Sequence, residues 1–141
     1  MTTGRPQRPR LTLPPSRRLS RDRDYQAVFD FALRKSLGPL TLFARPNRLP
    51  HPRLGLSVSR RVGIAVRRNA IKRRLREAFR HLQHELPRTP DGDSYDLILS
   101  VRAHDPLPAP EYRRILLTLA ERAHREAERR TRRDDSGGDE P

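Results

Sequence analysis

Residues 53 to 82 read RLGLSVSRRVGIAVRRNAIKRRLREAFRHL, and the rhythm changes partway through. Leu54, Leu56 and Val58 alternate with Gly55, Ser57 and Ser59, the period-2 pattern of a half-buried strand. A short glycine-containing turn is expected around Val62 to Ala65. From about Val66 the apolar residues Ile71, Leu75, Ala78, Phe79 and Leu82 recur at helical spacing on one stripe. Asn69, Lys72, Arg73, Arg76 and Arg80 gather on the opposite side. The stretch therefore predicts a strand feeding a helix, running to about Glu85, whose outer face is cationic.

Helix stability does not require such a face. Between Arg60 and Arg80 stand nine Arg or Lys residues and one acid, Glu77. Like charges three and four positions apart cost roughly 0.2–0.5 kcal/mol per pair. A solvated surface, the usual explanation of a charge run, interleaves glutamates and removes that cost. Here a polyanion would supply the missing negative charge, and the planar fork of arginine gives two directed hydrogen bonds to one phosphate. Asn69 is a poor helix former among good ones. It reads as a directed amide rather than a cap, because the apolar stripe begins upstream of it.

The run from Gly55 to Phe79, GLSVSRRVGIAVRRNAIKRRLREAF, resembles the signature of the bacterial ribonuclease P protein subunit. The hallmark of that family is Arg-Asn-Arg-Ile-Lys-Arg on a helix that follows a Gly-Leu-Ser-Val-Ser strand. Arg68, Asn69, Ile71, Lys72 and Arg73 match it, and Ala70 stands where the family usually carries its second arginine. The resemblance implies an α+β two-layer sandwich, with an additional short strand near Arg34 to Gly38 and a left-handed crossover around the basic helix. It implies that a catalytic RNA partner removes the 5′ leader of precursor tRNA. Magnesium would enter through that RNA, with no cofactor held tightly by the protein. Arg60, Arg61, Arg67, Arg68, Asn69, Lys72, Arg73 and Arg76 would hold RNA. Tyr25, Phe29 and Phe43 align with the aromatic cleft that receives the single-stranded leader. One protein per RNA subunit and a cytoplasmic location are the corresponding expectations.

The remainder of the chain fits a small basic domain. A length of 141 residues with 33% hydrophobic content allows only a modest core, and a net charge of +14 points to nucleic acid or an anionic membrane. No apolar run approaches the roughly 20 residues of a spanning helix, and no apolar signal-peptide core follows the cationic start. The lack of cysteine excludes disulfides and Cys-ligated zinc. Residues 1–18, rich in proline and arginine, read as a disordered basic arm. Residues 19–125 read as the RNA-binding domain and 126–141 as a disordered tail.

Within the domain, a first helix places Tyr25, Val28, Phe29 and Ala32 on one stripe, with Ser20 or Asp22 as its cap. A strand from about Leu40 to Arg45 follows, then a loop containing Pro46, Pro50 and Pro52. The strand from Leu54 to Arg60 is expected to pair antiparallel to the one before it. Beyond the basic helix come a strand from Tyr95 to Val101 and a last helix with Tyr112, Ile115, Leu116, Leu119 and Ala123 on one stripe. Helix, two strands, helix, strand, helix makes an α+β sandwich, with helices covering one face of a small, mostly antiparallel sheet.

Three aromatics in a small domain ordinarily belong to its core. Phe43, however, lies on the strand face opposite Leu40, Leu42 and Ala44, and aromatics beside cations can stack on unpaired bases. His51, His81, His84, His104 and His124 form no metal-ligand motif, and Asp91 and Asp93 suit a turn. No catalytic residue and no metal ligand is predicted, so the chain reads as a binder. A ribosomal or other structural RNA-binding protein is the alternative, and an RNA-hydrolysing enzyme acting alone is a third reading.

Overall fold

The computed structural model describes residues 14–138, with side chains through Asp134. A short 3-10 turn, Pro15–Arg17, precedes α1 (Asp22–Phe31), β1 (Arg34–Leu37), β2 (Leu40–Pro46) and β3 (Arg53–Val58). A second such turn, Arg60–Val62, leads into α2 (Ala65–Leu82), which is followed by β4 (Tyr95–Val101) and α3 (Ala109–Gly138). The short strand implied by the family resemblance is β1.

The four strands lie in the order β1-β2-β4-β3. β4 sits between β2 and β3, antiparallel to the first and parallel to the second, so the expected β2–β3 pairing does not occur. β4 is buried along nearly its whole length and takes a central place, where both neighbours shield it. β3, with Gly55 and Ser57 on its polar side, becomes an edge. The connection from β2 to β3 carries Pro50, Pro52 and a left-handed Arg48 at φ 58°, which turn the chain away from a tight hairpin. Asp96 ties the centre to that edge: its carboxylate accepts from Arg53 Nε at 2.8 Å and Nη2 at 2.7 Å, and from Asn47 Nδ2 at 3.0 Å.

One sheet face is dry. Leu40, Leu42 and Ala44 of β2, Leu97, Leu99 and Val101 of β4 and Leu54 of β3 pack against Ile71, Leu75, Ala78 and Phe79 of α2. Tyr112, Ile115, Leu116 and Leu119 of α3 complete that core. α1 lies on the other face, where Val28 is buried with Leu19 and Ile98 beside Tyr25 and Phe43. Helices therefore flank the sheet on both sides and unequally, because period-2 alternation turns Phe43 and Ile98 away from the main core and leaves them in need of cover.

Three helix ends differ from expectation. Arg21 is the N-cap of α1 and makes no side-chain cap bond, so neither Ser20 nor Asp22 caps it; Asp22 and Asp24 instead lie in the first turn, where they complement the helix dipole. α2 stops at Leu82, where the amides of Glu85 and Leu86 both return to the Leu82 carbonyl at 2.8 and 3.0 Å. α3 continues well past Arg125. Ala127 is buried, Glu126 meets Lys35 at 3.5 Å, and Arg130 donates to the carbonyls of Phe31 and Ala32 at 3.0 and 2.8 Å. These tertiary anchors carry the helix into the region expected to be a tail, of which residues 139–141 lie outside the described ones. Of the expected basic arm, residues 1–13 lie outside them too, while Arg18 bridges to Leu54 and the Leu19 amide donates to the Leu54 carbonyl at 3.0 Å.

Candidate nucleic-acid interface

The apolar stripe of α2 holds the helix on the sheet and turns its cations outward. Arg60 and Arg61, in the turn before the helix, are exposed, as are Arg67, Asn69 and Arg73; Arg68, Lys72 and Arg76 are half-buried. Gly63 separates turn from helix at φ 143°, and a side chain there would meet Arg67 Cδ at 2.7 Å. Arg67 pairs with Asp105 at 3.0 Å across an exposed surface, a contact worth little to stability. Nε of Arg68 is buried with no hydrogen-bond partner. Asn69 stands five residues beyond the N-cap, Ile64, so it is not a capping residue. Arg74 on the same helix serves the fold, donating to the Leu107 carbonyl at 2.8 Å.

The aromatic residues assemble on the α1 side of the sheet. The hydroxyl of Tyr25 accepts from the Leu56 amide at 3.2 Å, capping a donor of the open β3 edge. This approach requires Gly55, since a Cβ there would sit 2.7 Å from the Tyr25 ring. Phe29 is 37% exposed rather than on the buried stripe, which belongs to Val28. Its ring meets half-buried Phe43 edge-on, with centroids 4.9 Å apart.

The two constellations meet over the β3 edge. A cleft of about 100 Å³ there is lined by Arg18, Leu19, Tyr25, Leu54, Leu56, Lys72 and Arg76. Tyr25 thus comes from one side of the sheet, and Lys72 and Arg76 from the other. The Phe29–Phe43 pair lies outside this lining, as do Arg60, Arg61, Arg67, Arg68, Asn69 and Arg73. Sequence reasoning missed Arg18, because only its bridge to Leu54 carries it from the basic arm to the cleft.

His124 and His104 are engaged in the fold, His81 is paired at its surface, and His84 is exposed. His124 shares a 2.9 Å hydrogen bond with the Tyr95 hydroxyl, whose pKa burial and nearby Glu128 push up to about 12. His104 bonds the Tyr112 hydroxyl at 2.7 Å and the Arg102 carbonyl at 2.8 Å, and His81 lies 3.7 Å from Glu77. Among the described residues no three His, Cys, Asp or Glu side chains gather as metal ligands. No helix among them is long and apolar enough to cross a membrane.

Fold and site together define a basic α+β domain in which cations of α2 and the Tyr25 ring meet at a cleft over one sheet edge. The family model described as Ribonuclease P matches residues 13–130, and the chain belongs to that family. It is 50% identical over 74 residues to the ribonuclease P protein component of Methylococcus capsulatus, covering 52% of this chain and 58% of that protein. Identity to the ribonuclease P protein component of Aliivibrio salmonicida is 48% over 71 residues, 50% of this chain and 61% of that one. The matches thus span about three fifths of the length of these curated relatives. Among solved structures, the RNase P protein of Thermotoga maritima superposes with a TM-score of 0.61 at 30% identity, covering 74% of this chain and 96% of that one. The Staphylococcus aureus RNase P protein gives 0.63 at 26% identity, covering 76% and 94%.

Proposed function

We propose that this chain is the protein subunit of a ribonuclease P holoenzyme, which removes the 5′ leader of precursor tRNA by endonucleolytic cleavage. The observation that carries this reading is the shared cleft, where Tyr25 stands beside Lys72, Arg76 and Arg18. Cations of α2 and the preceding turn engage the backbone of the catalytic RNA and release its counterions, so affinity falls steeply with salt. Bases of the single-stranded leader stack on Tyr25, Phe29 and Phe43, a contact indifferent to base identity. Mature tRNA lacks the leader, so the protein favours substrate over product. Catalysis belongs to the RNA, which binds the magnesium it needs; phosphate neutralisation by the protein lowers that demand. The structural hydrogen bonds of His104 and His124 support a protein that binds rather than catalyses.

Reconstitution tests this: the RNA subunit, with and without the protein, acting on precursor tRNA at low magnesium. Faster cleavage with the protein is expected. Equal rates would favour a structural RNA-binding protein, and cleavage by RNA-free protein would assign the chemistry to the polypeptide.

A further inference from the structure

α3 carries a second cationic surface that the family signature does not include. At 100° per residue, Arg122, Arg125, Arg129, Arg132 and Arg133 fall within an arc of about 100°, and all five are exposed. The buried residues Leu119, Ala123 and Ala127 lie outside that arc. The stripe is about 17 Å long, at 1.5 Å per residue. Arg129 pairs with Glu126 at 3.1 Å and Arg125 Nε reaches the Glu121 carbonyl at 3.4 Å. Arg122, Arg132 and Arg133 have neither an ion pair nor a hydrogen bond among the described residues. The glutamates that would neutralise an ordinary solvated face are displaced to its flanks. As on α2, most of these like charges lack a paired acid, and an external anion would relieve their repulsion.

Its place in the fold separates it from the site already described. Lys35–Glu126 and Arg130–Phe31 fasten this half of α3 to β1 and the end of α1, at the sheet edge opposite β3. Three strand spacings, roughly 14 Å, lie between those edges. α3 nevertheless shares its layer with α2 and lies across the sheet from the Phe29–Phe43 pair. An anionic membrane fits poorly, because the apolar face of the helix is already buried in the core and cannot insert.

We propose that the Arg122–Arg133 stripe docks the sugar-phosphate backbone of the catalytic RNA at a second segment, apart from the one engaged by α2. This rests on the holoenzyme reading above. The test uses the full chain with Arg122→Gln, Arg125→Gln, Arg132→Gln and Arg133→Gln, which preserve helix propensity at exposed positions. Binding to the RNA-subunit transcript is measured across a salt series, with backbone footprinting of the complex and a thermal melt. Expected are an unchanged melt, affinity at least about tenfold weaker at low salt, and a salt slope flatter by about 0.7–0.9 per lost contact. One footprint segment disappears while that of α2 remains. Unchanged affinity, slope and footprint, alongside weaker binding by a Lys72→Ala/Arg73→Ala control, would overturn the second surface and leave the holoenzyme reading intact. Loss confined to precursor tRNA or to anionic-lipid vesicles would overturn it in favour of that polyanion. Failure of the unaltered chain to bind the transcript would remove both readings.

Discussion

The two faces of the sheet are built by different rules. The face under α2 and α3 is apolar from Leu40 to Val101 and fully covered. The face under α1 holds a small cluster of Leu19, Val28 and Ile98, an aromatic pair of exposed Phe29 and half-buried Phe43, and an ion pair between half-buried Arg53 and buried Asp96. The first face stabilises by removing area from water, and nothing on it has to be recognised. The second leaves aromatic area exposed, and such area is available for a ligand.

Substitutions on each face separate these roles. The largest loss is expected at Asp96, on the α1 face, where alanine leaves Arg53 and Asn47 without their shared acceptor. Urea unfolding should register a loss of about 3–5 kcal/mol, the cost of orphaning one partner of a buried pair. Leu99→Ala, at the centre of the covered face, should cost about 2–5 kcal/mol, with RNA-binding salt dependence unaltered. Phe43→Ala should lower stability less than Leu99→Ala and weaken binding of long-leader substrate by roughly 1–3 kcal/mol. A melt as low as that of Leu99→Ala with leader discrimination intact would make the α1 face ordinary core and end the contrast. Smallest in stability, within about half a kcal/mol, should be Lys72→Ala with Arg73→Ala; their effect belongs in the salt slope of RNA binding, flatter by up to about 0.9 per contact. An unchanged slope would remove α2 from the interface.

Much of the fold is legible because periodicity is a local property. The stripe of Ile71, Leu75, Ala78, Phe79 and Leu82 is buried as its spacing requires, and the outward cations follow from the same period. Phe43 is likewise assigned to the less covered face by alternation alone. The course of β3 is not legible, since its Leu54, Leu56, Val58 alternation suits an antiparallel neighbour as well as the parallel β4 it pairs with. The far half of α3 is hidden for a related reason: Glu126 and Arg130 find their partners on β1 and α1, more than ninety positions away in the chain.

Sequence alone determined the cationic helix, the strand that feeds it and the residue types of the candidate interface, because charge and periodicity are carried by neighbours in the chain. Tertiary structure alone decided that β4 enters between β2 and β3, and that Tyr25 and Arg18 meet Lys72 and Arg76 over an open edge. Strand order depends on which segments most need burial on both sides, a competition among distant parts of the chain that no local pattern records.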